Sequence, residues 1–464
     1  MHRAPTRALV SWVAGAPTPA PALSTVASSS GDDSENYRCE GDRLLGLGVA
    51  GAPAPAATLE ASLKITDAKV IVCSPGRNFV TLKVFTDEGV YGLGDATLNG
   101  REQAVVAYLE AHVIPALIGR DPRNTEDIWH FLYRGAYWKR GPVTMAAVSA
   151  VDLALWDIKG KMLGTPLYNL IGGKSRERVL VYAHANGRDL AEAVDAVGKK
   201  LEAGFLAVRV QAGVPGVARS YGVARGEGAY EPAEPGLPQE EVWDTARYLA
   251  FAPRLFEAVR QAYGDDVHLL HDVHHRCTPI EAARLAKELE PFHLFWLEDP
   301  VTAELQEGLR LMRRHSTTPI AIGEVFNTIY DVTTLVTEQL VDYLRMPLSH
   351  AGGVTHLLKV AAFASAYHVQ TGFHGATDLS PVNLAASLHF DLAINNFGIQ
   401  EYMPHPDVTH EVFKTNYRYD KGHLVIDDTP GIGVDIDEVA AAKFPYRPAS
   451  LPVARKTDGT AFHW

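Results

Sequence analysis

Residues 267–275, VHLLHDVHH, read as a buried strand until His271 and Asp272, where ionisable side chains crowd into a place a strand normally keeps apolar. Two later stretches behave the same way: LFWLEDP (294–300) runs apolar as far as Glu298, and PIAIGE (319–324) as far as Glu324. Asp272, Glu298 and Glu324 are spaced 26 residues apart, the length of one strand, one helix and two loops. The same rhythm extends to VLVYAHA (179–185), FLAVRVQ (205–211), VDYLRM (341–346), HVQTGFH (368–374) and FGIQEY (397–402), with helical segments between. Strands alternating with helices imply parallel strands joined by crossovers. About eight such units close a barrel of the (β/α)8 kind, whose functional rim lies at the C-terminal strand ends.

All three acids fall at such ends, on neighbouring strands. Period-two alternation puts Leu270, Asp272 and His274 on one face, Trp296 and Glu298 on one face, and Ile322 and Glu324 on one face. Three converging carboxylates repel one another unless a cation sits between them. Hard oxygen donors select Mg²⁺.

Composition limits the alternatives. The chain has 464 residues, 47% hydrophobic and 21% charged, with a formal charge of −12 and a pI near 5.9. That field opposes nucleic acid and anionic membrane partners and favours a small-molecule substrate. Cys39, Cys73 and Cys277 are far apart and show no CxxC spacing, which fits the reducing cytoplasm. No apolar run approaches the roughly 18 residues of a membrane span, so a soluble protein is expected.

Residues 1–62 are rich in Ala, Pro, Ser and Gly and lack hydrophobic periodicity, so they read as a disordered low-complexity extension. A transit peptide or a start codon assigned too far upstream would give the same pattern. From residue 63 the pattern changes: NFVTLKVFTDEGVYGLGDA (78–96) is a hairpin with its turn at Asp87 to Gly89, and VTMAAVSAVDLALWDIKGKMLG (143–164) is a long helix. The expected organisation is an α+β domain over 63–178, a barrel over 179–420 and a terminal segment over 421–464 that packs back on the first domain and brings Trp464 near a loop at 211–238. That loop exceeds the usual ~2 to 6 residues and reads as a lid.

Several long motifs resemble one family: HDVHHR (271–276), FWLEDP (295–300), IGEVFN (322–327), HAGGVTH (350–356), FHGATDLSPV (373–382), FGIQEYM (397–403) and SLPVAR (450–455). They are those of the enolase superfamily, and within it the chain is similar to the mannonate dehydratases. The resemblance implies an α/β fold, a (β/α)7β barrel with an N-terminal α+β capping domain, Asp272, Glu298 and Glu324 as ligands of Mg²⁺ on the third to fifth strands, and a homo-oligomer. It implies conversion of D-mannonate to 2-keto-3-deoxy-D-gluconate with loss of water, through an enediolate.

Many superfamily members carry a lysine base on the second strand, whereas this chain has Arg209, a poor base because its pKa lies above ~12. The resemblance pairs Arg209 with Tyr221 of the following loop, and a nearby guanidinium favours phenolate over phenol. His274, two residues past Asp272, is placed to protonate the leaving hydroxyl; His271 and His275 alternate away and are expected to be structural. Arg345, His374, Asp378 and Glu401 reach the rim, and the resemblance makes them substrate contacts together with Asn99, His184 and Glu324. The resemblance to family members with Ala after HG, here Ala376, implies mannonate. Another aldonate such as D-gluconate, or a non-catalytic sugar-acid-binding or regulatory role, are the competing readings.

Overall fold

In the computed structural model of the protein, residues 63–217, 223 and 234–462 are described. Tyr221, Trp464, most of the proposed lid and the extension over 1–62 lie outside them.

Three antiparallel strands open the described chain, Ile65–Cys73, Phe79–Thr86 and Tyr91–Asp95. The first turn-and-strand expectation holds: Gly89 takes φ +76° in the turn that joins the second and third strands. The helix Pro142–Met162 then lies on the third strand, starting at a proline that needs no N–H partner in the first turn. The approach is so close that a Cβ on Gly94 would stand 1.8 Å from the Ala150 carbonyl oxygen, and one on Gly92 2.0 Å from that of Ala154. The glycines of YGLGD are therefore what lets helix and sheet touch. Val80, Leu82, Val84, Trp129, Val148 and Val151 fill the core between them.

Eight parallel strands follow: Val179–Gly187, Ala207–Ala212, His268–Asp272, Trp296–Glu298, Ile320–Ile322, Tyr343–Leu344, Gln370–Thr371 and Gln400–Glu401. The first pairs with the eighth, and a parallel bridge between Thr371 and Phe397 closes the ring. Helices Leu190–Glu202, Thr245–Tyr263, Pro279–Leu289, Leu309–His315, Ile329–Thr337, Gly353–Ser365 and Pro381–Ala393 fill the seven crossovers. Each strand expected from the sequence is present, and the fold is the (β/α)7β barrel with an α+β cap. The outer core packs helices on strands; a small inner cluster of Tyr182, Ala207, Leu270, Trp296, Ala321 and Ile399 plugs the barrel.

The terminal segment closes the structure. Val453–Lys456 pairs in parallel with Glu240–Trp243, on the return from the long loop, while Asn78 of the cap donates to the Arg447 carbonyl at 2.7 Å. All the described residues lie in one compact unit. Among them, no helix is long and apolar enough to cross a membrane.

Candidate active site

The third barrel strand ends at Asp272, which is fully buried. Its Oδ1 accepts the His274 backbone N–H at 2.8 Å, a turn that gives His274 φ +50° and folds its ring back, so that Nε2 lies 2.6 Å from Asp272 Oδ2. The same oxygen accepts from Arg209 Nη1 at 2.8 Å. Burial alone would raise the Asp272 pKa, but His274 and Arg209 outweigh it and hold the carboxyl well below its ordinary range.

Glu298 ends the fourth strand. Its Oε2 accepts from the indole Nε1 of Trp296 at 2.9 Å; its Oε1 lies 2.7 Å from Arg345 Nε without the alignment of a hydrogen bond. Burial first, opposed by Arg345 and reinforced by Asp272, pushes its pKa well above the ordinary value.

Glu324 reaches the rim by a route that alternation misreads. On the fifth strand it is Ala321 that faces the barrel interior, while Ile322 packs in the outer core. A continued strand would send Glu324 outward with Ile322. The strand instead stops at Ile322, and Gly323 at φ +129° turns the chain so that Glu324 joins the other two acids. The expectation that Ile322 and Glu324 share an inward face is thus corrected, although the convergence holds: the oxygens of Asp272, Glu298 and Glu324 lie within 4.8 Å of one another.

These residues fit a divalent cation. All three donors are oxygens, and Glu298 Oε1 is a buried acceptor with no hydrogen bond. A positive charge at their centre reverses the penalty that raises the Glu298 pKa.

Around the acids, the remaining side chains form a connected shell. His184 Nε2 meets Glu401 Oε1 at 2.7 Å and its Nδ1 faces Arg209 Nη2 at 3.3 Å, so the imidazole donates to the acid and accepts from the guanidinium. Burial and Arg209 lower its pKa to about 4, a neutral ring. His374 is the opposite case: burial lowers it, but Asp378 at 3.2 Å and Glu401 at 3.0 Å dominate and raise it well above its usual value. Asp378 in turn is held at about 2 despite burial, by His374 and then Arg77.

A cavity of about 480 Å³ lies above this shell. Asn99, His184, Arg209, His274, Glu324, His374, Asp378 and Glu401 all line it. Arg345 does not: it is 0% exposed and lies beneath, with Nη2 3.0 Å from Glu401 Oε2 and Nη1 donating to the Tyr182 hydroxyl at 2.8 Å. The structure places it as a counter-ion of the acids instead of on the cavity wall. His271 lies behind the barrel, between the Val210 carbonyl at 2.9 Å and the Tyr248 hydroxyl at 2.7 Å. His275 turns to Asp299, 3.7 Å away, although it also borders the cavity.

Sequence reasoning passed over Arg77 of the cap, the donor role of Trp296 toward Glu298, and His350, which opens HAGGVTH and lines the cavity. Only the last carried a signal, a histidine at a loop after a barrel strand.

A closed parallel barrel with acids on three consecutive strand ends, roofed by an α+β cap, defines a protein built to hold a cation at the floor of a small-molecule cavity. Comparison with known proteins narrows this. Residues 70–172 match the mandelate racemase/muconate lactonizing enzyme N-terminal domain, and residues 192–440 the enolase C-terminal domain-like family. The chain belongs to the enolase superfamily, among the relatives of mandelate racemase and muconate lactonizing enzyme. It is 65% identical over 403 residues to the D-galactonate dehydratase family member RspA of Halomonas elongata, covering 87% of this chain and 100% of that one. To the D-mannonate dehydratase of Novosphingobium aromaticivorans it is 60% identical over 402 residues, with the same coverage. A crystal structure of an enolase from Pantoea ananatis with bound D-gluconate and Mg superposes with a TM-score of 0.80 at 40% identity, over 87% of this chain and 100% of that one.

Proposed function

We propose that this protein is a sugar-acid dehydratase that converts D-mannonate to 2-keto-3-deoxy-D-gluconate and water, with Mg²⁺ held by Asp272, Glu298 and Glu324. The observation that carries the reading is the convergence of these three acids beside His274, under a cavity whose walls also offer Arg209, Glu401 and Asp378. The name of a relative 60% identical over its whole length supports the choice of mannonate.

When bound, the cation would hold the substrate carboxylate and offset the charge that develops as the adjacent proton leaves. The chain's own residues move the protons. Tyr221, outside the described residues but in the loop after the second strand, is the proposed base for the C2 proton. Arg209, anchored to Asp272, supplies the fixed positive charge that would favour a phenolate over a phenol. His274 is the proposed acid that protonates the departing 3-hydroxyl. Its contact with Asp272 Oδ2 holds the ring at the cavity wall for this purpose. Ionised Asp378 and Glu401 accept hydrogen bonds from the remaining hydroxyls, and neutral His184, with both ring nitrogens engaged by Glu401 and Arg209, borders them.

D-Gluconate is the second reading, favoured by the similarity to the Pantoea ananatis structure with bound D-gluconate. Homo-oligomerisation and a cytoplasmic location belong to the same proposal, and sedimentation of the purified chain tests the first. The deciding assay is a panel of sugar acids with Mg²⁺, scored for 2-keto-3-deoxy products. D-Mannonate is expected to turn over fastest and chelation to stop it; no product from any aldonate, or full turnover after exhaustive chelation, would overturn the proposal.

A further inference from the structure

His350 follows the sixth barrel strand, in the loop that ends on Gly352. Its position is fixed from both sides. Asn327 donates to its carbonyl at 3.0 Å, and its ring Nε2 lies 2.8 Å from the Thr97 carbonyl of the cap. That carbonyl is itself held, because Thr97 is fully buried, its N–H donates to Asp95 Oδ1 at 2.9 Å and its hydroxyl accepts from Val80 N at 3.0 Å. A carbonyl oxygen can only accept, so Nε2 must carry the proton. In a neutral ring the lone pair then belongs to Nδ1. Burial lowers the His350 pKa, which keeps the ring neutral.

The ring borders the cavity, and among the described residues no group is hydrogen-bonded to Nδ1. Its neighbours on the wall are Leu98 and Asn99, next in sequence to Thr97, and Asp378, an ionised acceptor. This wall is formed with the cap, and the three acids lie on the barrel rim, so the part of a substrate that meets it is the hydroxyl chain and not the carboxylate bound at the acids.

We infer that His350 is a specificity-determining residue whose Nδ1 accepts a hydrogen bond from a hydroxyl on the polyol part of the sugar acid. A fixed acceptor beside Asp378 takes a hydroxyl donor. This rests on the sugar-acid reading given above.

Two variants separate recognition from the tie to the cap. His350→Gln places an amide nitrogen near the old Nε2 and keeps a donor for Thr97, but removes the acceptor at Nδ1. His350→Asn places an amide oxygen near the old Nδ1 and gives up the tie. Calorimetric Kd and turnover are measured on the full chain with Mg²⁺, using D-mannonate and its 4-, 5- and 6-deoxy analogues. The wild type is expected to bind one deoxy analogue roughly 10- to 100-fold more weakly than D-mannonate. His350→Gln should lose that discrimination and His350→Asn should keep it while melting lower. The inference is overturned if the wild type discriminates against none of the deoxy analogues, which needs no variant to fold, or if His350→Gln keeps the wild-type ratio. Binding without turnover would sink the dehydratase reading alone and leave His350 standing on its Kd ratios; no binding of any sugar acid would sink both.

Discussion

Replacing Arg345 with methionine keeps much of the side-chain length and removes the charge that the acids share. The guanidinium is 0% exposed. It lies 2.7 Å from Glu298, 3.0 Å from Glu401 and 3.5 Å from Glu324, and also donates to Tyr182 and to the Gly372 carbonyl. Removing one partner of a buried pair costs about 3–5 kcal/mol, because the remaining charge is left uncompensated. In a chain of this size each kcal/mol moves the melting temperature by about 2 °C or less, so in EDTA the variant should melt several degrees below the wild type. Two conditions should shrink the deficit. Mg²⁺ supplies a positive charge to the same oxygens, and acidification protonates carboxylates that have lost their counter-ion. The assay is thermal unfolding of both proteins in EDTA and in Mg²⁺ at pH 5 and pH 8. A fall of under 1 °C in EDTA would show that the acids do not depend on Arg345. A fall that neither Mg²⁺ nor acid reduces would assign its role to Tyr182 and packing.

Tyr221→Phe should abolish exchange of the substrate C2 proton with solvent while leaving binding largely intact, whereas His274→Asn should stop dehydration and let C2 exchange persist. Both losses should reach about 10² to 10⁴ in rate, and exchange at the wild-type rate in Tyr221→Phe refutes the assigned base. Trp296→Phe removes the indole donor to Glu298, so Mn²⁺ affinity followed by electron paramagnetic resonance should fall by about 10- to 100-fold; an unchanged Kd in the folded variant would show that the hydrogen bond does not orient the ligand. Asp152, buried in the cap helix with Oδ2 accepting from Thr355 N at 2.9 Å, is pushed up to about 7 by burial. Between pH 4 and 7 the folded state therefore holds the proton more tightly than the unfolded chain, and stability should decline as pH rises through that window. Asp152→Asn should flatten the decline in urea unfolding; identical pH slopes would contradict this.

The barrel was legible because parallel strands buried on both faces announce themselves as short apolar runs, and because an acid closing three such runs breaks the pattern at regular spacing. The cap hairpin was legible for the same local reason, a turn triplet between alternating segments. What sequence could not supply was direction. Glu324 turns inward only because Gly323 adopts φ +129°, a backbone choice that alternation cannot anticipate. Arg345 looks like its neighbours on the rim until side-chain reach is considered, since a long guanidinium extends down among the acids instead of up into the cavity. His350 depends on Thr97, 253 residues away, and no local pattern encodes a partner at that distance.

The cavity wall combines Arg77 from the hairpin loop between the first two strands with Leu451 from the terminal segment, and that segment is hydrogen-bonded to the cap through Asn78 and Arg447. A chain emerging from the ribosome can complete the cap hairpin and most of the barrel strands long before residue 451 arrives. Until then the pocket lacks part of one side. Such distant pairings are slow to form, so the order of synthesis separates the birth of the scaffold from the birth of the enclosure, and a nascent chain whose barrel had closed would hold the acids in place while one side of the room above them stood open.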